Sequence, residues 1–167
     1  MNLNHINELD QERAKESFFT CCGSHRWAQM MTQARPFHSK EDVGLWAEQS
    51  WLQLKREDWM EAFDAHPKIG DIESLKKKYA VEKELSLGEQ AGVNSATATV
   101  LSDLADYNKR YHEKFGYIFI VCATGKSADE MLTILKGRID NVDEDELNNA
   151  IEEQKKITRI RLEKLGD

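Results

Sequence analysis

The stretch Ser39-Lys40-Glu41-Asp42-Val43-Gly44-Leu45-Trp46-Ala47-Glu48-Gln49-Ser50-Trp51-Leu52-Gln53-Leu54 decides the fold class. Val43, Trp46, Ala47, Ser50, Trp51 and Leu54 recur at helical spacing, which places them on one face. Ser39, followed three residues later by Asp42, supplies the helix start. A second helix is expected from Arg56 to Ala65, with Trp59, Met60 and Phe63 inward, because Pro67 pushes His66 out of helical backbone. Further helices are expected over Asn4–Cys22, His25–Ala34, Ile72–Tyr79, Ser86–Gly92, Ser95–Phe115, Ser127–Ile139 and Asp143–Leu165. Ser127 and Glu130 form a capping box for one of them. Tyr117 to Ala123 is β-branched and aromatic. With no second strand to pair with, it reads as a buried extended segment or a short helix. The fold class is all-α, a single-domain multi-helix bundle spanning 1–167.

Composition agrees. Nine glycines and two prolines in 167 residues leave few sharp turns, against the needs of a β-sandwich. The length suffices to bury a core without staples. A net charge of −7 speaks against a polyanion partner, so nucleic acid is excluded as a class. Three cysteines, Cys21, Cys22 and Cys122, form no disulfide framework and suit a reducing compartment. Met1 to Glu12 lacks the basic flank and apolar stretch of a signal peptide. The longest apolar run, Tyr117 to Ala123, is far too short to span a membrane, and Leu165-Gly166-Asp167 is no peroxisomal address. The expectation is a cytoplasmic protein.

Three places can carry chemistry, and each also has a plain structural reading. His66-Pro67 is either a helix-ending His before a helix-stopping Pro, or a proton donor presented at a helix C-terminus. In the second reading the macrodipole favours the imidazolium. Ser86-Leu87-Gly88-Glu89-Gln90 is either a capping box alone or also an anion-binding helix start. There Gly88 permits close approach and Glu89 stays ionised as a base or partner to a cation. Arg161 lies about 40° from Leu147 on the last helix, within the stripe of Leu147, Ile151, Thr158 and Leu165, while Arg159 lies about 120° away and should be exposed. Arg161 either snorkels, forms a structural ion pair, or clamps a carboxylate. Cys22-x-x-His25 has metal-ligand spacing without a second pair, so no metal site is expected. Gly125-Lys126-Ser127 imitates the end of a P-loop without its upstream glycine, and Lys76-Lys77-Lys78 reads as a solvated face. His5, His25, His38 and His112 carry no motif.

Read in order, Arg35-Pro36-Phe37, His66-Pro67-x-Ile69-Gly70, Ser86-x-x-Glu89-Gln90-x-Gly92, Phe115-Gly116, Phe119-Ile120-Val121-Cys122-Ala123 and Arg161-Leu162 resemble one family. It is the 2-oxo-4-hydroxy-4-carboxy-5-ureidoimidazoline (OHCU) decarboxylases of uric acid degradation. The resemblance implies an all-helical homodimer that converts OHCU to (S)-allantoin and CO2 without a cofactor. It implies His66 as proton donor, Glu89 beside it, and Pro67 shaping the pocket. Ser86, Leu87, Gly88, Glu89 and Gln90, with Phe119, Ile120, Val121, Cys122 and Ala123, would line the anionic substrate, largely through backbone groups. Arg161 would hold a negative charge. From the chain's length no transthyretin-like second domain is expected, and Cys122 to Ser127 look like those of bacterial-type cytoplasmic members. The contrasting readings are a catalytically silent helical interaction module that keeps the fold, and a hydrolase acting on a neighbouring ureido or cyclic amide intermediate.

Overall fold

Capping side chains set where the helices begin. A computed structural model describes residues 1–66, 75 and 90–166, without the side chains of 90–97. The helices are α1 (Leu3–Glu8), α2 (Gln11–Cys22), α3 (His25–Gln33), α4 (Lys40–Trp51), α5 (Arg56–Asp64), α6 (Gln90–Phe115), α7 (Ala128–Arg138) and α8 (Asp143–Glu163). Among the described residues there is no strand, so the all-α expectation holds. The helices expected over Ile72–Tyr79 and Ser86–Gly92 fall mostly outside the described residues; Gln90 to Gly92 belong to α6, one helix with the segment expected to begin at Ser95.

Several boundaries follow from single hydrogen bonds. The Ser39 hydroxyl accepts from the Asp42 N–H at 3.1 Å and starts α4 as expected. At α7 the Ser127 hydroxyl accepts from the Glu130 N–H while the Glu130 carboxylate accepts from the Ser127 N–H, a complete capping box. The expected single helix over Asn4–Cys22 is instead two. Asp10 accepts from the Arg13 N–H at 2.9 Å, and an aspartate that caps a new helix ends the old one.

The described residues fall into two compact units. The first holds residues 1–66, 120–122 and 150–167. In it α2 packs on α3, and α3 packs on α4 and α5. Phe18, Trp27, Met31, Val43, Trp51 and Phe63 fill its core, and the Trp27 indole N–H donates to the Ala47 carbonyl. Trp46, expected in the core, is instead 40% exposed. It lies about 60° to one side of Val43, with Ser50 between them, whereas Ala47, Trp51 and Leu54 lie on the other flank, so Trp46 stands on the rim of the stripe. On α5, Phe63 is buried as expected, but Trp59 and Met60 are only half-buried. The Arg35-Pro36-Phe37 motif clasps α1. Arg35 donates to the carbonyls of Ile6 and Leu9, and the Asn7 amide exchanges two hydrogen bonds with the Phe37 backbone.

Gly23 makes the turn from α2 into α3, with φ of 83°. A Cβ there would stand 2.5 Å from the Ala65 Cβ, so only glycine lets α2 end against the last turn of α5.

The second unit holds residues 67–119 and 123–149, with α6 packed on α7. Its core is organised by the fully buried Glu146. That carboxylate accepts from Arg138 Nε and Nη2 at 2.8 and 2.5 Å, from Asn141 at 2.9 Å and from the Tyr111 hydroxyl. Burial first, then the neighbouring carboxylate, pushes the Tyr111 phenol well up from its ordinary value, so it remains a donor. Lys114 donates to the Ile139 and Asn141 carbonyls after α7, where a cation suits the helix end. Tyr117 is buried in this unit and Ile120 in the first, and residues 117–123 run as irregular chain, neither helix nor strand.

Two stability measurements test this account. Glu146→Ala removes the fully buried carboxylate that accepts from Arg138, Asn141 and Tyr111, and should lower the unfolding free energy by about 3–5 kcal/mol in urea denaturation followed by circular dichroism. Gly23→Ala combines a positive φ with overpacking and should cost at least about 2 kcal/mol. A wild-type midpoint for either variant contradicts the role given to that residue.

Candidate active site

The C-terminal end of α2 is where the first unit gathers its reactive groups. The last carbonyls of a helix have no partner within it, and α8 supplies partners here. The Gln154 amide donates to the Cys22 carbonyl at 3.2 Å and to the Thr158 hydroxyl at 3.3 Å. Arg161 Nη1 donates to the Cys21 carbonyl at 3.4 Å, a favourable place for a cation. The same Gln154 meets His66 through its Oε1, which is 2.6 Å from His66 Nε2. His66 follows α5, and its own N–H donates to the Phe63 carbonyl.

The inward face of α8 is therefore mixed. Ile151 and Leu162 are apolar, but Gln154 and Thr158 are buried with them. Leu147 and Leu165, expected in that stripe, are only half-buried. Arg161 is half-buried, and among the described residues it has no carboxylate within ion-pair distance. Arg159 is exposed and pairs with Glu48 at 3.0 Å, as the helical wheel predicts.

Charge at the site departs from the sequence expectation in one respect. The macrodipole argument favours imidazolium at His66, yet its pKa is lowered from the ordinary 6.5. Burial is the largest cause, the Gln154 hydrogen bond opposes it, and Arg161 adds to it. Desolvation outweighs the helix end because the ring is half-buried and a second cation sits close by. Burial likewise pushes the Cys21 thiol up to about 11 and the Cys22 thiol to about 12, so both are neutral. His25 turns away from Cys22 toward Glu61, whose carboxylate also accepts the His25 N–H at 3.0 Å.

The other site candidates divide. Ile120, Val121 and Cys122 belong to the first unit, as do His66 and Arg161. Cys122 is held from α8 too: its N–H donates to Glu153 Oε2 at 2.7 Å, and Lys156 pairs with the other Glu153 oxygen at 2.5 Å. That backbone donor is thus committed to Glu153, which narrows the expectation that backbone groups here face a substrate. Phe119 and Ala123 belong to the second unit, where the Phe119 ring lies 5.2 Å from Tyr111 and beneath the Arg138 guanidinium at 4.8 Å. Pro67, Ser86, Leu87, Gly88 and Glu89 lie outside the described residues, as does the side chain of Gln90. Sequence reasoning missed Gln154 and Glu153. Gln154 was detectable, since it occupies the stripe three residues after Ile151 and four before Thr158, and a polar residue there needs hydrogen-bond partners.

Comparison with known proteins adds a decisive observation: the family model for OHCU decarboxylase matches residues 7–163. The chain belongs to the OHCU decarboxylase family. It is 39% identical over 161 residues to a uric acid degradation bifunctional protein of Arabidopsis thaliana, covering 94% of this chain and 48% of that protein. It therefore spans about half the length of that relative. An OHCU decarboxylase of Haloferax volcanii is 23% identical, with 97% of this chain and 94% of the relative covered. A crystal structure of OHCU decarboxylase in the presence of (S)-allantoin superposes with a TM-score of 0.72 at 35% identity, covering 94% of this chain and 98% of that one. The family's named members are carboxy-lyases of uric acid degradation, and the helical fold is theirs.

The lowered His66 pKa has a measurable sign. Folding disfavours the imidazolium, so the native state binds fewer protons than the unfolded chain. The stability it confers is complete above 6.5 and falls as pH drops through that value toward the folded pKa. In an NMR titration His66 should show a midpoint below 6.5, while Arg161→Ala should raise it. A wild-type midpoint above 6.5 would refute the account of burial.

Proposed function

We propose that this chain decarboxylates OHCU to (S)-allantoin and CO2 without a cofactor. One observation carries the reading: His66 and Arg161, the two residues that the family resemblance marks for proton and anion handling, are both tied to the end of α2, His66 through Gln154 of α8 and Arg161 by its own bond to the Cys21 carbonyl. We further propose one functional domain spanning 1–167, a cytoplasmic location, and a homodimer. The single family match across both compact units supports the first of these.

Chemistry supports the assignment. The substrate carries its own electron sink, because the carboxylate departs from the hydroxyl-bearing ring carbon beside a C=N bond that is conjugated with the ring carbonyl. The C–C bond breaks, CO2 leaves, and the electron pair remains on the ring. The enzyme then has to orient the carboxylate, stabilise the developing charge and deliver one proton to one face. Arg161, with its guanidinium unmatched by a carboxylate among the described residues, suits the anion. His66 is neutral before substrate arrives, and an anionic substrate beside it favours the imidazolium. The proton is thus acquired together with the ligand and given up to the ring carbon. Delivery from one side gives a single enantiomer. By the family resemblance alone, we also assign Glu89, the Ser86–Gln90 segment and Pro67 to substrate handling.

The test generates OHCU from urate in situ and follows its decay and the chirality of the allantoin. Wild-type protein should accelerate decay and yield the (S) form, whereas a silent module would leave the spontaneous, racemic course and a hydrolase would give a different product. His66→Ala should lose about 100-fold to 10,000-fold in kcat with its helical circular dichroism intact. Arg161→Ala should mainly raise KM, and an unchanged KM would make that arginine structural.

A further inference from the structure

We propose that Gln154 is a positioning residue that fixes His66 as the Nε2–H tautomer, so that Nδ1 is the ring atom that takes up and hands over the reaction's proton. This rests on the reading of His66 as the acid–base residue, but the tautomer itself is settled independently of activity.

The derivation starts from the Cys22 carbonyl, which can only accept. The edge of the Gln154 amide that faces it at 3.2 Å must be the NH2. The second amide hydrogen reaches the Thr158 hydroxyl at 3.3 Å. With both hydrogens committed, the oxygen remains for the imidazole, 2.6 Å from Nε2. An oxygen acceptor at that distance requires a donor, so Nε2 carries hydrogen in both protonation states of the ring. The opposite tautomer would set two lone pairs against each other. Gln154 has no exposed surface from which water could relieve that repulsion. Turning the amide over does not help, because its oxygen would then oppose the Cys22 carbonyl.

The proton cycle follows. Neutral His66 accepts a proton at Nδ1, and the resulting imidazolium still donates Nε2–H to Gln154, whose oxygen faces the new charge. Nδ1 then gives the proton to the ureido-bearing ring carbon, onto which the electron pair left by CO2 has passed; the neighbouring hydroxyl-bearing carbon becomes the carbonyl of allantoin, and the imidazole returns to neutral. Arg161, on the same helix as Gln154, acts against this imidazolium, while the Cys21 and Cys22 thiols on α2 are neutral. Gln154 is therefore the group that opposes Arg161 and keeps His66 able to protonate.

The experiment is nitrogen-15 NMR of the full-length, substrate-free protein at a pH where His66 is neutral. The expected spectrum has a protonated, pyrrole-like Nε2 and a pyridine-like Nδ1; the reverse assignment overturns the proposal. Failure of the decarboxylase reading would appear separately, as an inactive wild type or an active His66→Ala variant. Two variants test the link to catalysis. Gln154→Met removes the acceptor and should lower kcat about tenfold to a hundredfold, move the alkaline limb of the kcat profile to lower pH, and change KM little. Gln154→Glu keeps an acceptor opposite Nε2–H, gives up the donor to Cys22 and adds negative charge, so its alkaline limb should move up by about one pH unit. If both variants fold and neither profile moves, Gln154 is only a packing residue. Should neither fold, the wild-type nitrogen spectrum still decides the tautomer.

Discussion

The end of α2 imposes the constraint on which the first unit's reactive groups depend. Its last carbonyls are buried where no further helical turn can pair them, and leaving such groups unsatisfied is costly. Gly23 turns the chain away at once and donates its own N–H to Phe19. The carbonyls of Cys21 and Cys22 are then served from α8, by Arg161 and Gln154. A structural need thus recruits two long polar side chains to one place. Both have capacity left over: Arg161 has donors beyond the one spent on Cys21, and Gln154 has its oxygen.

That spare capacity is what the site uses. The Gln154 oxygen meets His66, and burial, with the Arg161 charge, lowers the pKa of the ring; in the proposed reaction it stays neutral until an anion arrives. Glu153, the residue before Gln154, holds the Cys122 backbone. Neighbouring positions on one helix therefore hold a histidine and an extended segment that are far apart in sequence. The same economy appears in the second unit, where Glu146 is surrounded by donors from α6, α7 and the turn after it. There the buried carboxylate gathers its donors and serves stability.

Legibility from the sequence followed the range of the interactions. The starts of α4 and α7 were readable because Ser39 and Ser127 bond backbone three residues away. The break between α1 and α2 was missed, although Asp10 is a local cap, because the apolar pattern on either side runs on. Trp46 was assigned to the core by spacing that did not weigh its place at the edge of the stripe. Arg161 was picked out correctly as a half-inward cation. Its target, a carbonyl at the end of a helix 140 residues earlier, is not a local property.

The sequence by itself determined an all-helical protein, most helix boundaries, the motif set that resembles the OHCU decarboxylases, and the choice of His66 and Arg161 as residues of interest. These rest on periodicity, capping and order along the chain, which a linear reading contains. Only the tertiary structure decided the charge of His66 and the identity of its partner. A helix end viewed alone predicts imidazolium; burial and the approach of Arg161 reverse the sign, and Gln154 supplies the orienting bond. Desolvation and contacts between distant segments exist only once the chain has folded, so no spacing rule along the sequence records them.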